Sequence, residues 1–252
     1  MAKPITIDLN CDMGEGFGAW KMGNDAALMP LISSANIACG FHAGDAKTML
    51  ETVQLALKYD VAIGAHPALP DLQGFGRRHM SVSAEEVYGL VLYQIGALRA
   101  IAEAEGGRLH HVKPHGALYN MAAQNQALAE AIAKAAAKSD LVLYGLSGSA
   151  LEHAAKLYDL RFCGEAFCDR RYQKNGALVS RDLPKAVIED PAQAARQALQ
   201  IVQSQGVETI EGELLEVSCQ TLCIHGDAPH ALAIAQAVRH SLQAEGFRIA
   251  AV

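Results

Sequence analysis

Short runs of β-branched and apolar residues alternate along the chain with longer stretches in which apolar residues recur every three or four positions. This alternation is typical of repeated β-strand and α-helix units around a mostly parallel sheet. Seven runs have the length and composition of strands: residues 5–10, 34–39, 61–66, 109–114, 141–146, 161–167 and 221–225. The pattern therefore predicts an α/β fold, either a closed barrel or an open sheet.

The helices between these strands have recognisable ends. Ser83 and Glu86 have the spacing of a capping box, and an apolar stripe follows them until two consecutive glycines. Asp190 and Pro191 have the N-cap and first-turn sequence of a second helix, which ends at Gly206. Three further stripes predict helices at residues 49–57, at residues 128–136 and from Pro229 to about Gly246.

The length and composition favour one globular domain. The chain has 252 residues, of which 51% are hydrophobic and 19% are charged, and α/β barrels of this size form one domain. Because the sequence contains no Pro-rich or Ser-rich linker, we predict a single (β/α) barrel domain over residues 1–252. Residues 175–190 and 207–217 leave the pattern and are interpreted as hairpins, insertions or lids.

Charge and hydropathy exclude several classes of partner and location. With 21 Lys and Arg residues against 27 Asp and Glu residues, the net charge of −6 argues against nucleic acid and anionic membrane surfaces. No apolar run approaches the roughly 18 residues of a membrane span, and the first ten residues do not have the pattern of a signal peptide. The six cysteines are therefore interpreted as reduced thiols, and we expect a cytoplasmic protein.

Several common site motifs are absent or incomplete. The spacings of Cys163 with Cys168 and of Cys219 with Cys223 fit neither a redox pair nor a zinc knuckle. Residues 14–19 match a dinucleotide-binding glycine pattern, but the residues after them do not open a convincing helix to hold a pyrophosphate. Neither a P-loop nor the G-x-S-x-G motif of serine hydrolases occurs.

Polar residues whose side chains can take part in catalysis or ligand binding follow the predicted strands. In a parallel barrel or sheet the carboxyl ends of the strands share one face, so these side chains converge there. Their imidazoles and carboxylates suit general acid–base chemistry, metal binding or both, and the basic side chains suit an anionic group. The candidates are Asp12, Glu15, His42, Asp45, His66, Lys113, His115, Glu165, Asp169, Arg170, Arg171, His225 and Asp227.

Structural roles remain open for several of these residues. Asp12 can bridge barrel strands, while Asp45 and Asp227 have the positions of helix caps. A single histidine at a strand end is often only a hydrogen-bonded structural residue. The histidines away from the strand ends are interpreted as structural: His79, His110, His111, His153, His230 and His240.

Seven motifs in order along the chain resemble the LamB/YcsF family. They are DLNCDMGE from Asp8, NIACGFHAGD from Asn36, GAHP from Gly64, KPHGALY from Lys113, GEAF from Gly164, DRRY from Asp169 and HGD from His225. Together they extend from the first predicted strand to the last.

The resemblance implies a fold and an activity. The fold is a seven-stranded (β/α) TIM-like barrel related to the sugar deacetylases. The activity is an ATP-hydrolysing 5-oxoprolinase, a cyclic amide hydrolase that opens 5-oxo-L-proline (L-pyroglutamate) to L-glutamate while ATP becomes ADP and phosphate. Separate B and C subunits are the implied partners, and ATP with Mg²⁺ is the implied cofactor. The sequence leaves open whether this chain or a partner binds the nucleotide.

Site roles follow as hypotheses from this resemblance. Asp12 and His115 are the first candidates for catalysis, and Glu165 and Asp169 are the next. The residues predicted to bind substrate are Glu15, Asp45, Lys113, Arg170, His225 and Asp227. By similarity to the deacetylases, a divalent metal site would use Asp12 with His42, His66 or His115.

Two other functions compete with this one. The same pocket could belong to an ATP-independent, metal-dependent amidohydrolase or deacetylase. Alternatively, the chain could be a non-catalytic subunit that binds substrate for a partner. Bound metal in the purified chain would favour the first alternative, and full activity after substitution of Asp12 or His115 would favour the second.

Overall fold

A computed structural model describes residues 5–181, 183–227 and 230–252 of the chain. The strands are β1 (Thr6–Met13), β2 (Ser34–Ala38), β3 (Ala62–His66), β4 (Leu109–Val112), β5 (Val142–Leu146), β6 (Phe162–Phe167), β7 (Gly206–Glu208), β8 (Leu214–Glu216), β9 (Thr221–Ile224) and β10 (Arg248–Ile249). The helices are α1 (Asp25–Leu28), α2 (Ala46–Lys58), α3 (Ala84–Ala104), α4 (Gly116–Gln124), α5 (Gln126–Lys138), α6 (Ala150–Leu157), α7 (Pro191–Ser204) and α8 (Ala231–Ala244).

Seven parallel strands close into a barrel. Their order is β1, β2, β3, β4, β5, β6 and β9, and β9 returns to pair with β1. The sequence patterns predicted all seven strands, and the closed α/β barrel confirms the fold class expected from the family resemblance. The two-residue strand β10 adds to the first part of β1, where Thr6 pairs with Arg248.

The residues of β1 show how the barrel divides polar from apolar side chains. Leu9, Cys11 and Met13 belong to the main hydrophobic core. The alternate residues are polar and buried, and they bond to polar residues of neighbouring strands: Asn36 donates to Asn10 at 2.7 Å, and Asn10 donates to Thr221 at 2.7 Å. Since successive side chains of a strand point to opposite faces, the barrel interior is a hydrogen-bonded polar core.

The predicted helix ends largely match the structure. Ser83 and Glu86 form the capping box of α3, and Asp190 accepts hydrogen bonds from the first turn of α7. The final helix, α8, begins at Ala231; its predicted start at Pro229 lies outside the described residues. Three helices were not predicted, α1, α4 and α6, because each has nine residues or fewer and shows little periodicity.

Two regions leave the barrel pattern. Strands β7 and β8 form an antiparallel hairpin, which confirms the hairpin predicted for residues 207–217. In the predicted insertion at residues 175–190, single bridges join Tyr172 to Leu178 and Arg170 to Val187. In the described parts of the chain, no helix has the length and apolar character to cross a membrane.

Candidate active site

A cavity of about 450 Å³ opens at the carboxyl ends of the barrel strands. The barrel brings six of the predicted site residues to its wall: Asp12, His66, Lys113, His115, Arg170 and His225. Other predicted residues contact this set from behind or from the rim. The convergence predicted from the strand ends is therefore present in the structure.

Asp12, near the end of β1, is held by three neighbouring side chains. Its Oδ1 atom accepts hydrogen bonds from Asn36 at 2.9 Å and from Lys113 at 3.1 Å, and its Oδ2 atom lies 3.3 Å from His66 Nε2. Burial alone would raise the pKa of Asp12, but the charges of His66 and Lys113 outweigh burial and hold it well below its usual range. Asp12 is therefore an ionised carboxylate inside the barrel.

His66 and His115 point ring nitrogens at each other. His66 Nδ1 donates to the carbonyl of Lys113 at 2.7 Å, and His115 Nε2 donates to the carbonyl of Phe75 at 2.9 Å. These bonds leave His66 Nε2 and His115 Nδ1 facing each other at 3.0 Å. Two lone pairs cannot face each other so closely, so the pair requires a shared proton or a nearby cation.

His42 and Glu15 complete this cluster. The His42 ring stacks on His115 with centroids 3.7 Å apart, and its Nε2 lies 3.2 Å from Glu15 Oε1. Burial lowers the pKa of both His42 and His115 well below the usual range, so these imidazoles are neutral near pH 7. Burial and the negative charge of Asp12 raise the pKa of Glu15 well above its usual range.

The donor atoms of this cluster suit a metal ion. Glu15, His42, His66 and His115 each offer a nitrogen or oxygen atom, and all these atoms lie within 4.8 Å of one another. His42 Nδ1 is buried and has no hydrogen-bond partner among the described residues. The four-residue group therefore includes the three predicted histidines, with Glu15 beside them, while Asp12 contacts it through His66.

A second group of metal-ligand types lies nearby but fits an ion less well. It consists of Asp12, Cys223 and His225. Burial raises the pKa of the Cys223 thiol well above its usual range, and Lys113 Nζ contacts its sulfur at 3.1 Å. Since the thiolate is the metal-binding form of cysteine, the glutamate and histidine cluster is the better candidate.

Lys113 lines the inner part of the cavity, where it connects two carboxylates. Its side chain is 3% exposed, and its Nζ atom lies 2.7 Å from Glu165 and 3.1 Å from Asp12. Burial opposes its charge, but the carboxylates of Asp12 and Glu165 raise the pKa of Lys113 well above its usual range. Glu165 is completely buried and does not line the cavity.

Asp169 orients His225 at the opposite wall. It accepts hydrogen bonds from the His225 backbone at 3.0 Å and from His225 Nδ1 at 2.9 Å. Burial would raise the pKa of Asp169, but His225 lowers it overall. Because Asp169 is bonded to Nδ1, the other ring nitrogen of His225, Nε2, takes no part in this contact.

The two residues with possible capping roles differ in the structure. Asp45 is the N-cap of α2, where it accepts from the Thr48 backbone at 2.9 Å, and it also accepts from the Gly18 backbone. Asp227 instead pairs with Arg77 at 2.6 Å, and residues 228–229, where a cap would act, lie outside the described residues. Neither carboxylate lines the cavity.

Sequence reasoning missed the long loop that follows β3. Within it, Phe75 accepts the hydrogen bond from His115, and Arg77 lines the cavity. Gly76 has a φ of +64°, and a Cβ atom there would lie 2.8 Å from His42 Cβ and 2.9 Å from His115 Cδ2. Only glycine fits this approach. The glycines of the loop were a usable signal, but the sequence-based candidates came mainly from the first residues after each strand.

Comparisons with known proteins decide the family. The family model described as "LamB/YcsF family" matches residues 7–252. The chain belongs to the LamB/YcsF family. The A subunit of 5-oxoprolinase from Bordetella pertussis is 55% identical over 247 residues, which cover 97% of this chain and 98% of that protein.

Solved structures agree with this membership. The lactam utilization protein from Thermus thermophilus has a TM-score of 0.93 and 48% identity, and the match covers 98% of this chain and 100% of that one. The polysaccharide deacetylase Bc1974 from Bacillus cereus has a TM-score of 0.51 and 12% identity, with coverage of 99% and 92%. At that identity the likeness concerns the fold alone, and it agrees with the predicted deacetylase-like barrel.

Proposed function

We propose that this chain is the A subunit of a 5-oxoprolinase, which opens 5-oxo-L-proline to L-glutamate while ATP is hydrolysed to ADP and phosphate. The observation that carries the proposal is 55% identity, over nearly the whole of both chains, to the A subunit of 5-oxoprolinase from Bordetella pertussis. The buried acid–base cluster in the cavity supports a hydrolytic step in this chain.

The chemistry of the substrate explains why ATP takes part. A five-membered lactam is a stabilised amide, and phosphorylation of its oxygen makes the ring carbon a good electrophile. Water then adds to that carbon, the carbon–nitrogen bond breaks as the nitrogen gains a proton, and a second water releases phosphate from the resulting acyl phosphate. The overall reaction consumes one ATP and two water molecules.

We assign the first proton transfers to Asp12 and His115. Asp12 is ionised and lines the cavity, and neutral His115 directs its Nδ1 atom toward the cluster. Asp12 can take a proton from the attacking water, and His115 can do so when its Nδ1 atom does not hold a metal ion, as general-base catalysis requires. His225, on the opposite wall, is suited to bind substrate or to give a proton to the departing nitrogen.

Glu165 and Asp169 act through their neighbours in this proposal. Glu165 contacts Lys113 and Asp169 contacts His225, and neither carboxylate reaches the cavity wall. We therefore propose that both are positioning residues. Lys113 and Arg170 remain the proposed contacts for anionic substrate groups. Asp45 and Asp227 support the segments around them, and Glu15 belongs to the histidine cluster.

A divalent metal fits the cluster of Glu15, His42, His66 and His115. The facing nitrogens of His66 and His115 and the unpartnered His42 Nδ1 are the observations that support this fit among the described residues. When bound, such an ion supplies Lewis-acid polarisation of a substrate oxygen.

The nucleotide and the partner subunits belong to the proposal as well. No P-loop occurs in the sequence, so we propose that ATP with Mg²⁺ is bound chiefly by partner subunits, named B and C in the expected complex. The Bordetella pertussis relative is itself named as one lettered subunit, which supports a multi-subunit enzyme.

The direct test is glutamate formation from 5-oxoproline. The purified chain is assayed with Mg²⁺ and ATP, alone and with the candidate B and C subunits. We expect glutamate only when ATP and the partners are all present. Absence of glutamate under every condition contradicts the proposal.

Matched variants test the role of the cavity. We expect Asp12→Asn and His115→Asn to reduce turnover of the complex by on the order of a hundredfold or more, as loss of a general base does. Asp60→Asn makes the same chemical change at an exposed residue before β3, at the other end of the barrel, and should leave turnover unchanged. Unchanged turnover in Asp12→Asn and His115→Asn would support a non-catalytic subunit.

The metal cluster favours one second candidate, an ATP-independent metal-dependent amidohydrolase or deacetylase. Its supporting observation is the group of four metal-ligand side chains beside the cavity. Metal analysis of the purified chain, followed by assay of amide and acetyl substrates without ATP, separates the two functions. Hydrolysis without ATP that is lost on chelation would favour this candidate.

A further inference from the structure

Four arginines line the cavity. Arg78 is paired with Asp71, and the other three are called the rim arginines: Arg77, Arg170 and Arg181. Arg77 comes from the loop after β3, and the other two come from the segment after β6. These segments are far apart in the sequence and meet only because the barrel closes. The chemistry proposed above uses only Arg170.

Among the described residues, the rim arginines carry more positive charge than their carboxylate partners balance. Asp227 lies 2.6 Å from Arg77 and 3.8 Å from Arg181, so two guanidinium groups share it. Asp169 is engaged by His225. Among the described residues, no carboxylate lies within 4.0 Å of the Arg170 guanidinium, which donates to the carbonyl of Val179.

Arg170 also has an unused donor. Its side chain is more than nine-tenths buried, and its Nε atom has no hydrogen-bond partner among the described residues. Burial and the nearby Arg181 lower the pKa of Arg170 to about 10, as expected for a cation that lacks a sufficient counter-charge. A buried guanidinium donor without a partner is costly unless a ligand satisfies it.

We propose that the rim arginines form a subsite for the phosphoryl group of an O-phosphorylated lactam or of the acyl phosphate derived from it. This inference rests on the proposed function and names the form of substrate that the chain receives. In the described part of the chain these three guanidinium groups have one shared carboxylate, and this balance matches a dianion better than the single charge of the lactam carboxylate. Guanidinium forks also fit phosphoryl oxygens in paired hydrogen bonds.

The position of the subsite agrees with delivery from a partner. Arg77 and Arg181 have side chains that are 38% and 28% exposed, whereas His66 and His115 lie deeper and are buried. A phosphorylated lactam bound in this way has its phosphate toward the opening and its ring toward Asp12 and the histidines. Activation in a partner and ring opening in this chain therefore form consecutive steps.

The test measures binding of inorganic phosphate to the purified chain by isothermal titration calorimetry. We expect Arg77→Gln and Arg181→Gln each to weaken phosphate binding by roughly tenfold, as loss of a charge-assisted contact does. Arg181→Lys should retain part of the affinity because it keeps the charge. Arg196→Gln removes an exposed arginine of α7 near Asp190 and is the matched control, which should bind phosphate like the parent chain.

A second titration separates phosphate from carboxylate. We expect 5-oxoproline and L-glutamate, which carry carboxylates without phosphate, not to displace phosphate from the chain. Displacement by either one, with the same dependence on Arg181, would assign the rim arginines to the substrate carboxylate and overturn the proposal. Phosphate binding that is undetectable, or equal in all variants, would overturn it as well.

These results are independent of the glutamate assay. If the chain binds phosphate through Arg77 and Arg181 but forms no glutamate with its partners, the proposed function is refuted. The rim arginines would still be an anion-binding site. An active complex in which this chain binds phosphate without these arginines would refute the subsite alone.

Discussion

At the scale of single residues, the site is organised around one buried cation. Lys113 pairs with both Asp12 and Glu165 and also contacts Asn10 Oδ1 at 3.1 Å. Because all of these groups are buried, the charges depend on one another. Together with His66, the lysine therefore holds Asp12 ionised and in place.

Replacement of this lysine should destabilise the fold strongly. Lys113→Met leaves Asp12 and Glu165 buried without their shared cation, and we expect a loss of about 3–5 kcal/mol in the free energy of unfolding. The measurement is urea unfolding followed by circular dichroism. The double variant Lys113→Met/Glu165→Gln has one fewer uncompensated charge and should recover part of the loss. Equal stability of Lys113→Met and the parent chain would show that the ion pairs contribute little.

The sequence identified most of these residues. It did not show which of them line the cavity and which only contact a residue that does. Spacing after the strands is enough to place His66, Lys113 and His115 at one face. It does not show that Glu165 contacts Lys113 instead of the cavity, because that depends on the direction of a side chain within the barrel. The rim residues Arg77 and Arg181 were missed because long loops bring them back to the opening.

At the scale of elements, the loop after β3 positions the histidine cluster. Asp71 accepts hydrogen bonds from Arg78 Nε at 2.9 Å and from the Gly74 backbone at 3.0 Å, and these bonds close the loop. The closed loop presents the carbonyl of Phe75 to His115. Its geometry is therefore coupled to the orientation of that imidazole.

This loop should contribute to stability in a pH-dependent way. The hydrogen bond from Arg78 lowers the pKa of Asp71 below its usual range. Because the folded pKa is the lower one, the contribution is complete above the unfolded pKa and is lost as pH falls through the folded pKa. We expect the melting temperature of Asp71→Asn to lie below that of the parent chain at pH 7, and the difference to shrink toward about pH 3, below the unfolded pKa of an aspartate. Calorimetry at both pH values measures it.

Two comparisons belong with this experiment. Asp60→Asn, in an exposed position, should show little change at either pH. A difference between Asp71→Asn and the parent chain that stays constant across the same pH range would contradict a contribution from ionised Asp71.

The sequence predicted elements best where local chemistry is strong. The capping box of α3 and the Asp–Pro start of α7 are confirmed because each end is determined by a few neighbouring residues. Helix α4, of nine residues, was missed because it begins directly after His115, where the site motif obscures any periodic signal. Strand bounds differ by up to three residues since pairing with neighbours, not local sequence, ends a strand.

At the scale of the whole molecule, closure of the barrel creates the site. Asp8 to Cys11 of β1 pair with Thr221 to Ile224 of β9, which joins the first and last strands of the barrel. The sequence alone allowed a barrel or an open sheet, because alternation of strands and helices does not specify closure. The family resemblance supplied that choice, and the β1–β9 pairing confirms it.

Closure also predicts how stability is distributed. Barrel strands such as β1 and β9 are paired on both sides and buried, whereas the β7–β8 hairpin has three residue pairs, and Leu214 within it is 72% exposed. We expect hairpin amides to exchange with solvent on the order of a hundredfold faster than those of β1 and β9, because the hairpin can open without opening the barrel.

Hydrogen exchange followed by mass spectrometry measures this difference, with peptides from β1 and β9 as the internal reference. Phosphate should not slow exchange in the hairpin, since no hairpin residue lines the cavity. It should slow exchange in the loop that contains Arg77 if the rim arginines bind it. Equal protection of the hairpin and the barrel strands would mean that they unfold together, and the hairpin would then be an integral part of the barrel.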